Sequence, residues 1–199
     1  MKCSSLLKPI EEILFEDLGF ARIDHHRELR LGIPEIIWGE SKTVSQISSI
    51  VRRMTERESL VIVTRLDETK GASLVREFPE GVYHPEARIF SVDRSPKKIE
   101  GRGKIFILAA GTSDIGVAEE AAVTASLLGN EVARLFDVGV AGLHRLLVEI
   151  PRIREASVLI VIAGMEGALP SVVAGLVGKP LIAVPTSVGY GTGLGGTAA

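Results

Sequence analysis

Four short stretches hold most of the residues able to do chemistry: "AGTSD" at 110–114, "DVGVAGLHR" at 137–145, "AGMEGALP" at 163–170 and "PTSVGYGTG" at 185–193. Each follows an apolar run. In "AGTSD", Thr112 or Ser113 can cap a helix while Asp114, with Glu119 and Glu120, complements its positive end. The same residues also suit a ligand. Gly111 lets the backbone approach a phosphate, which free N–H groups and the hydroxyls of Thr112 and Ser113 would bind. A carboxylate would repel that phosphate, so Asp114 is expected to accept hydrogen bonds from a sugar hydroxyl or to position a reacting group. The spacing matches neither G-x-G-x-x-G nor G-x-x-x-x-G-K-[ST], which excludes the standard dinucleotide and nucleoside-triphosphate loops.

The other three stretches carry paired readings too. His144 lies early in a helix with apolar positions Val140, Leu143, Leu146 and Leu147, where a histidine is ordinarily structural. At the mouth of a sheet it would instead pass protons near neutral pH, with Arg145 holding a carboxylate or phosphate. Asp137 would orient that histidine or merely start the turn. Glu166 is either a surface turn residue or, set between Gly164 and Gly167, a carboxylate on a backbone brought close to a ligand. Met165 shares that loop and is counted with its glycines among the substrate-binding residues. Thr186, Ser187 and Tyr190 would bind phosphate or sugar, although a flexible tail explains their glycine neighbours equally well.

These stretches need elements to position them. From Lys104 the pattern is regular: "KIFILAA", a helix to Leu128, "EVARLFDV", a helix over about 141–150, "SVLIVIAG", a helix over about 168–177, then "PLIAVPT". Apolar strands alternating with helices predict a parallel sheet covered on both faces, whose ligands sit at the strands' carboxyl ends. All four stretches fall at such ends. The charged segment "DRSPKKIEGRGK" at 93–104 separates this domain from a smaller α/β module over residues 1–95. In that module an amphipathic helix over "MKCSSLLKPIEEILFEDLGF" precedes a strand at 35–39. Thr43 with Gln46 forms a capping-box pattern. A helix face of Ile47, Ile50, Val51 and Met54 follows, then a strand at 60–66, a helix at 68–77 and a strand at 87–92. "DHHRELR" at 24–30 raises the idea of a metal, but adjacent histidines diverge on a helix, so a solvated charged face is expected and no metal site is assigned. Arg27, Arg30, Lys42 and Arg65 are alternative sources of positive charge for an anionic ligand.

Composition narrows the class. The 199 residues carry 23 basic and 25 acidic side chains for a formal charge of −2, without like-charge blocks, so a small soluble ligand is expected rather than nucleic acid. Cys3 is the one cysteine, which excludes an internal disulfide and fits a reducing, cytoplasmic setting. The apolar runs fall far below the roughly 20 residues of a membrane-spanning helix, so no membrane association is expected. The glycine-rich ending after a strand reads as cut, with either further residues or a partner subunit covering the sheet.

Taken together, "AGTSDIGVAEEA", "DVGVAGLHR", "AGMEGALPSVVAGL" and "PTSVGYG" resemble the PurE-type aminoimidazole ribonucleotide carboxylases from Lys104 onward. With "ARIDHHRELRLGIPEIIWGESKT", nearly the whole chain is similar to the LarB family of nickel-pincer nucleotide cofactor biosynthesis proteins. That resemblance implies a flavodoxin-like, PurE-like three-layer fold with a small N-terminal α/β module. It implies carboxylation of the pyridinium ring of nicotinic acid adenine dinucleotide, with carbon dioxide or bicarbonate as co-substrate. Together with hydrolysis of the phosphoanhydride, this gives pyridinium-3,5-biscarboxylic acid mononucleotide and AMP. It further implies a homo-oligomer, with Mg²⁺ as the one cofactor to consider.

In that family a cysteine thiolate activates the ring by covalent attack, and this cysteine belongs to a C-terminal portion beyond Ala199. Cys3 is no substitute, so residues 1–199 alone are expected to give little or no carboxylation. Under this resemblance Thr112, Ser113 and Asp114 bind phosphate and ribose. His144 assists proton transfer or orients the carboxylate, Arg145 holds an anion, and Glu166 positions the ring or a water. The rival readings are an aminoimidazole ribonucleotide carboxylase or mutase, and a non-catalytic nucleotide-binding module.

Overall fold

The computed structural model describes residues 15–96 and 98–187. The chain divides into two compact units, Met1–Pro96 and Lys97–Ala199.

Among the described residues the first unit opens with a hairpin of two short antiparallel strands, β1 (Glu16–Asp17) and β2 (Arg22–Ile23). Over residues 15–20 this corrects the helix expected through Phe20. Asp17 Oδ1 accepts the Gly19 N–H at 2.7 Å and Gly19 takes a φ of 81°, a side-chain turn that ends any helix there. Residues 1–14, including Cys3, lie outside the described residues. Helix α1 (Arg27–Leu31) follows. The expected solvated face holds for Arg30, whose guanidinium pairs with Asp24 at 2.5 Å. It fails for His25, whose side chain is 6% exposed and lies 3.2 Å from Glu16 through one ring nitrogen and 3.2 Å from Glu58 through the other.

Strand β3 (Ile36–Trp38), helix α2 (Val44–Arg57) and strand β4 (Leu60–Thr64) form a βαβ unit with parallel pairing. The capping box is present: Thr43 Oγ1 accepts the Gln46 N–H at 3.3 Å and Gln46 Oε1 accepts the Thr43 N–H at 3.0 Å. Ile47, Ile50, Val51 and Met54 are all buried against the sheet, each contributing about 1.5–3 kcal/mol of apolar transfer. Helix α3 (Glu68–Glu77) leads to β5 (Val82–His84) and β6 (Ile89–Asp93), which run antiparallel and complete the order β3-β4-β6-β5. Two of the cations considered for an anion site are engaged locally. Lys42 Nζ donates to the Trp38 carbonyl at 2.9 Å, and the Arg65 guanidinium lies 5.4 Å from the centre of the Trp38 ring.

The second unit is a wholly parallel sheet of β7 (Lys104–Ala109), β8 (Glu131–Leu135), β9 (Val158–Ala163) and β10 (Leu181–Pro185), ordered β10-β9-β7-β8. Helices α4 (Ile115–Leu127), α5 (Leu143–Ile153) and α6 (Ala168–Leu176) make the crossovers. The two-residue period of the strands sorts the core. Phe106, Leu108, Leu159 and Val161 pack with Leu146 and Ile150 of α5 and Leu169 and Val173 of α6. The alternate residues Ile107, Ala109 and Ile162 pack with Ala118 and Ala122 of α4 on the other face. The result is a flavodoxin-like, three-layer α/β fold whose direction of winding reverses at β7. That reversal opens a crevice at the strands' carboxyl ends.

Among the described residues no helix is long and apolar enough to cross a membrane. None of their His, Cys, Asp and Glu side chains gather in threes to hold a metal.

Candidate functional site

A pocket of about 320 Å³ opens at this reversal, near the lower end of the roughly 300–1,000 Å³ typical of ligand sites. The loop after β7 supplies Ala110, Gly111, Ser113 and Asp114, and the loop after β8 with the start of α5 supplies Gly139, Val140, Ala141 and Arg145. The last residue of β9, the loop after it and the start of α6 supply Ala163, Gly164, Met165, Glu166, Ala168 and Leu169. Three of the four stretches singled out in the sequence therefore converge. The apolar lining, Val140 and Leu169 above all, had no signature of its own in the sequence. Gly139 had one in its glycine-rich loop, and its role is close approach: its N–H donates to the Ala110 carbonyl at 2.9 Å, and a Cβ there would lie 3.0 Å from that oxygen.

Asp114 is the buried polar group of the pocket, 5% exposed. Its Oδ2 accepts the Gly111 N–H at 3.1 Å, and its Oδ1 accepts the Thr186 hydroxyl at 2.7 Å. Residues Thr112–Asp114 form a 3₁₀ turn leading into α4, and no side-chain cap bond is made there, so the expected Thr112 or Ser113 cap is absent. Nor is the Gly111 amide available to a phosphate, because Asp114 already takes it. An anion at this turn is left with the amides and hydroxyls of Thr112 and Ser113, of which only Ser113 lines the pocket. Glu119 does not serve the helix start either. It pairs with Arg134 at 3.0 Å.

Thr186, expected to touch substrate, is 6% exposed and turns its hydroxyl to Asp114, while its N–H donates to the Ala163 carbonyl at 3.0 Å. Ser187 is exposed and outside the pocket lining, and Tyr190 lies outside the described residues.

Arg145 reaches the pocket from the first turn of α5, where its guanidinium pairs with the Asp137 carboxylate. Asp137 itself does not line the cavity. His144 is exposed and is not among the residues that line the pocket. On the helix the two neighbours are turned by about 100° (3.6 per turn), so with Arg145 at the pocket His144 projects to one side of it. The expected apolar stripe shifts for the same reason. Leu146, Ile150 and Ile153 are buried, whereas Leu143 and Leu147 are 40% and 47% exposed.

The loop after β9 is held in an unusual backbone. Met165 has a φ of 52° and Gly167 a φ of 63°, with Gly167 donating its N–H to the Gly164 carbonyl at 2.9 Å. Gly167 takes the left-handed region at no cost, while a methionine there costs about 1–3 kcal/mol. The turn sets Met165 and Glu166, both exposed, at the pocket's edge.

A crevice at the reversal of a parallel sheet, with one buried carboxylate, one arginine and one rim glutamate, is suited to a small anionic ligand bearing hydroxyls. Two family models match the chain. Residues 15–94 match the LarB/PurE-like N-terminal domain and residues 104–196 match AIR carboxylase. The uncharacterized protein MJ0165 of Methanocaldococcus jannaschii is 37% identical over 177 residues, covering 85% of this chain and 69% of that protein. The chain belongs to the LarB/PurE-like family. The N5-carboxyaminoimidazole ribonucleotide mutase of the same organism is 43% identical over 84 residues, 41% of this chain and 51% of the mutase. Membership carries a carboxylase-type role, and the AIR carboxylase match spans all three loops that build the pocket.

Proposed function

We propose that this protein carboxylates the pyridinium ring of nicotinic acid adenine dinucleotide and cleaves its phosphoanhydride, yielding pyridinium-3,5-biscarboxylic acid mononucleotide and AMP in nickel-pincer cofactor biosynthesis. The observation that carries the reading is a LarB-type N-terminal domain joined to a carboxylase-type pocket. At about 320 Å³ the pocket suits the nicotinate ribotide half of the substrate. Asp114 accepts hydrogen bonds from ribose hydroxyls, and Thr112 and Ser113 bind the adjoining phosphate at the start of α4. Arg145 holds the nicotinate carboxylate or the incoming carboxyl group. Glu166 positions the water that cleaves the anhydride.

The covalent ring activation belongs to the family's cysteine, and no residue of 1–199 is assigned to it. The reading includes a homo-oligomer in the cytoplasm.

The test incubates the protein as the cell makes it with the dinucleotide and ¹³C-bicarbonate and looks for labelled pyridinium product and AMP by mass spectrometry. Failure to form either sinks the reading. The second reading, a ribonucleotide mutase, is favoured by the 43% identical relative. Calorimetric titration with the dinucleotide and with carboxyaminoimidazole ribonucleotide separates the two. Normal binding and turnover by Asp114→Asn would remove the role given to that residue.

A further inference from the structure

The pocket wall is mostly apolar, yet a carboxylate sits buried in it with one protein donor on each oxygen. The two donors differ in kind. The Gly111 N–H is part of the Asp114 turn itself, whose backbone returns the favour by donating the Asp114 N–H to the Gly111 carbonyl at 3.1 Å. The Thr186 hydroxyl comes from 72 residues away, at the end of β10, and is fixed there by the Thr186 N–H to the Ala163 carbonyl at 3.0 Å. Strand β10 is the fourth strand end, and it adds no lining residue of its own among those described.

We infer that Thr186 is a positioning residue: it fixes the Asp114 carboxylate so that the lone pairs left over accept the hydroxyls of a ribose, and thereby makes the site select ribonucleotides over deoxyribonucleotides. Each carboxylate oxygen accepts about two hydrogen bonds, so one protein donor on each leaves one open acceptor on each. The open acceptors on a single carboxylate can take the two hydroxyls of a vicinal diol. Without the threonine hydroxyl the carboxylate has only its own turn to hold it, and Oδ1 loses its one protein donor. Side-chain rotation about the Asp114 Cα–Cβ bond then spreads the acceptors over several directions, and binding pays to collect them again.

The inference rests on Asp114 meeting the ribose. The experiment therefore measures binding of nicotinic acid adenine dinucleotide and of its analogue with a deoxyribose on the nicotinate side, using wild type, Thr186→Val, Thr186→Ser and Asp114→Asn. Thr186→Val is expected to lose about tenfold in affinity for the ribose ligand, the size of one hydrogen bond to a charged group, and to lose little for the deoxy ligand. Thr186→Ser, which keeps the hydroxyl, restores both the affinity and the preference. A purely structural threonine would weaken both ligands alike, and serine would not restore the preference, so either result overturns the inference. Weakened binding by Asp114→Asn with none by Thr186→Val overturns it while leaving the ribose role standing. Unchanged binding by Asp114→Asn removes that role and this inference with it. Circular dichroism of each variant confirms that the compared proteins are folded.

Discussion

The Arg145 guanidinium folds back over Gly142 to reach Asp137: a Cβ at position 142 would stand 2.6 Å from Arg145 Nε. A missing side chain thus lets a pocket cation be aimed by a carboxylate that does not touch the cavity. Both partners are well exposed, 40% and 54%, so the pair adds at most about 1 kcal/mol to stability. Its value lies in orientation. Arg145→Ala is expected to leave urea melts nearly unchanged and to lower affinity for an anionic substrate at least about tenfold. Arg145→Lys is expected to recover only part of the loss, because an ammonium lacks the planar fork. Calorimetric titration of the three proteins checks both statements, and wild-type affinity in Arg145→Ala would rule the cation out of the site.

A different carboxylate arrangement governs the first unit. Burial pushes the Glu58 carboxyl above its ordinary range, and the hydrogen bond from His25 offsets only part of that. Burial also pushes Glu16 upward, but there the bonds from Arg53 and His25 win and its carboxyl lies below the ordinary 4.5. The two therefore act on stability in opposite directions. Glu58, raised in the folded state, contributes stability at low pH that is lost as pH rises through its folded value. Glu16, lowered in the folded state, contributes stability above its ordinary value of 4.5 that is lost as pH falls through its folded value. Glu58→Gln removes the first effect and keeps an acceptor for His25. Its melting temperature, compared with wild type at each pH, is expected to gain steadily as pH climbs from about 4 to neutrality. Parallel curves for the two proteins would contradict the assigned direction.

Local chemistry made part of this molecule readable from its residues. Thr43 and Gln46 announce the start of α2, and the Ile47, Ile50, Val51, Met54 spacing announces its buried face, because a helix-period apolar stripe has one side to bury. The apolar runs that become β7, β8, β9 and β10 are equally plain, and ligand sites at their carboxyl ends follow from parallel topology. What spacing does not carry is rotation and reach. Whether His144 or Arg145 faces the crevice depends on how α5 sits on the sheet, and three of its apolar residues remain exposed. That Thr186 serves Asp114 instead of a ligand depends on a contact 72 residues apart. Over residues 15–20 the β1–β2 hairpin stands where helix was expected, because Asp17 closes a turn that an apolar periodicity spans without a break.

Met165 offers the sharpest contrast between stability and function. Its left-handed backbone, φ 52°, costs about 1–3 kcal/mol that glycine would not pay. Against this, Met165→Gly loosens the unfolded chain, a loss of roughly 0.5–1 kcal/mol, and forfeits the packing of a side chain that is 42% exposed. The terms nearly cancel, so the variant is expected to melt within about 1 kcal/mol of wild type. The Met165 side chain stands at the edge of the pocket, where it can cover one side of a bound ligand. Substrate affinity in Met165→Gly is therefore expected to fall several-fold while the melt is unchanged. A variant that melts as wild type and also binds as wild type would show Met165 to be only the corner of a turn.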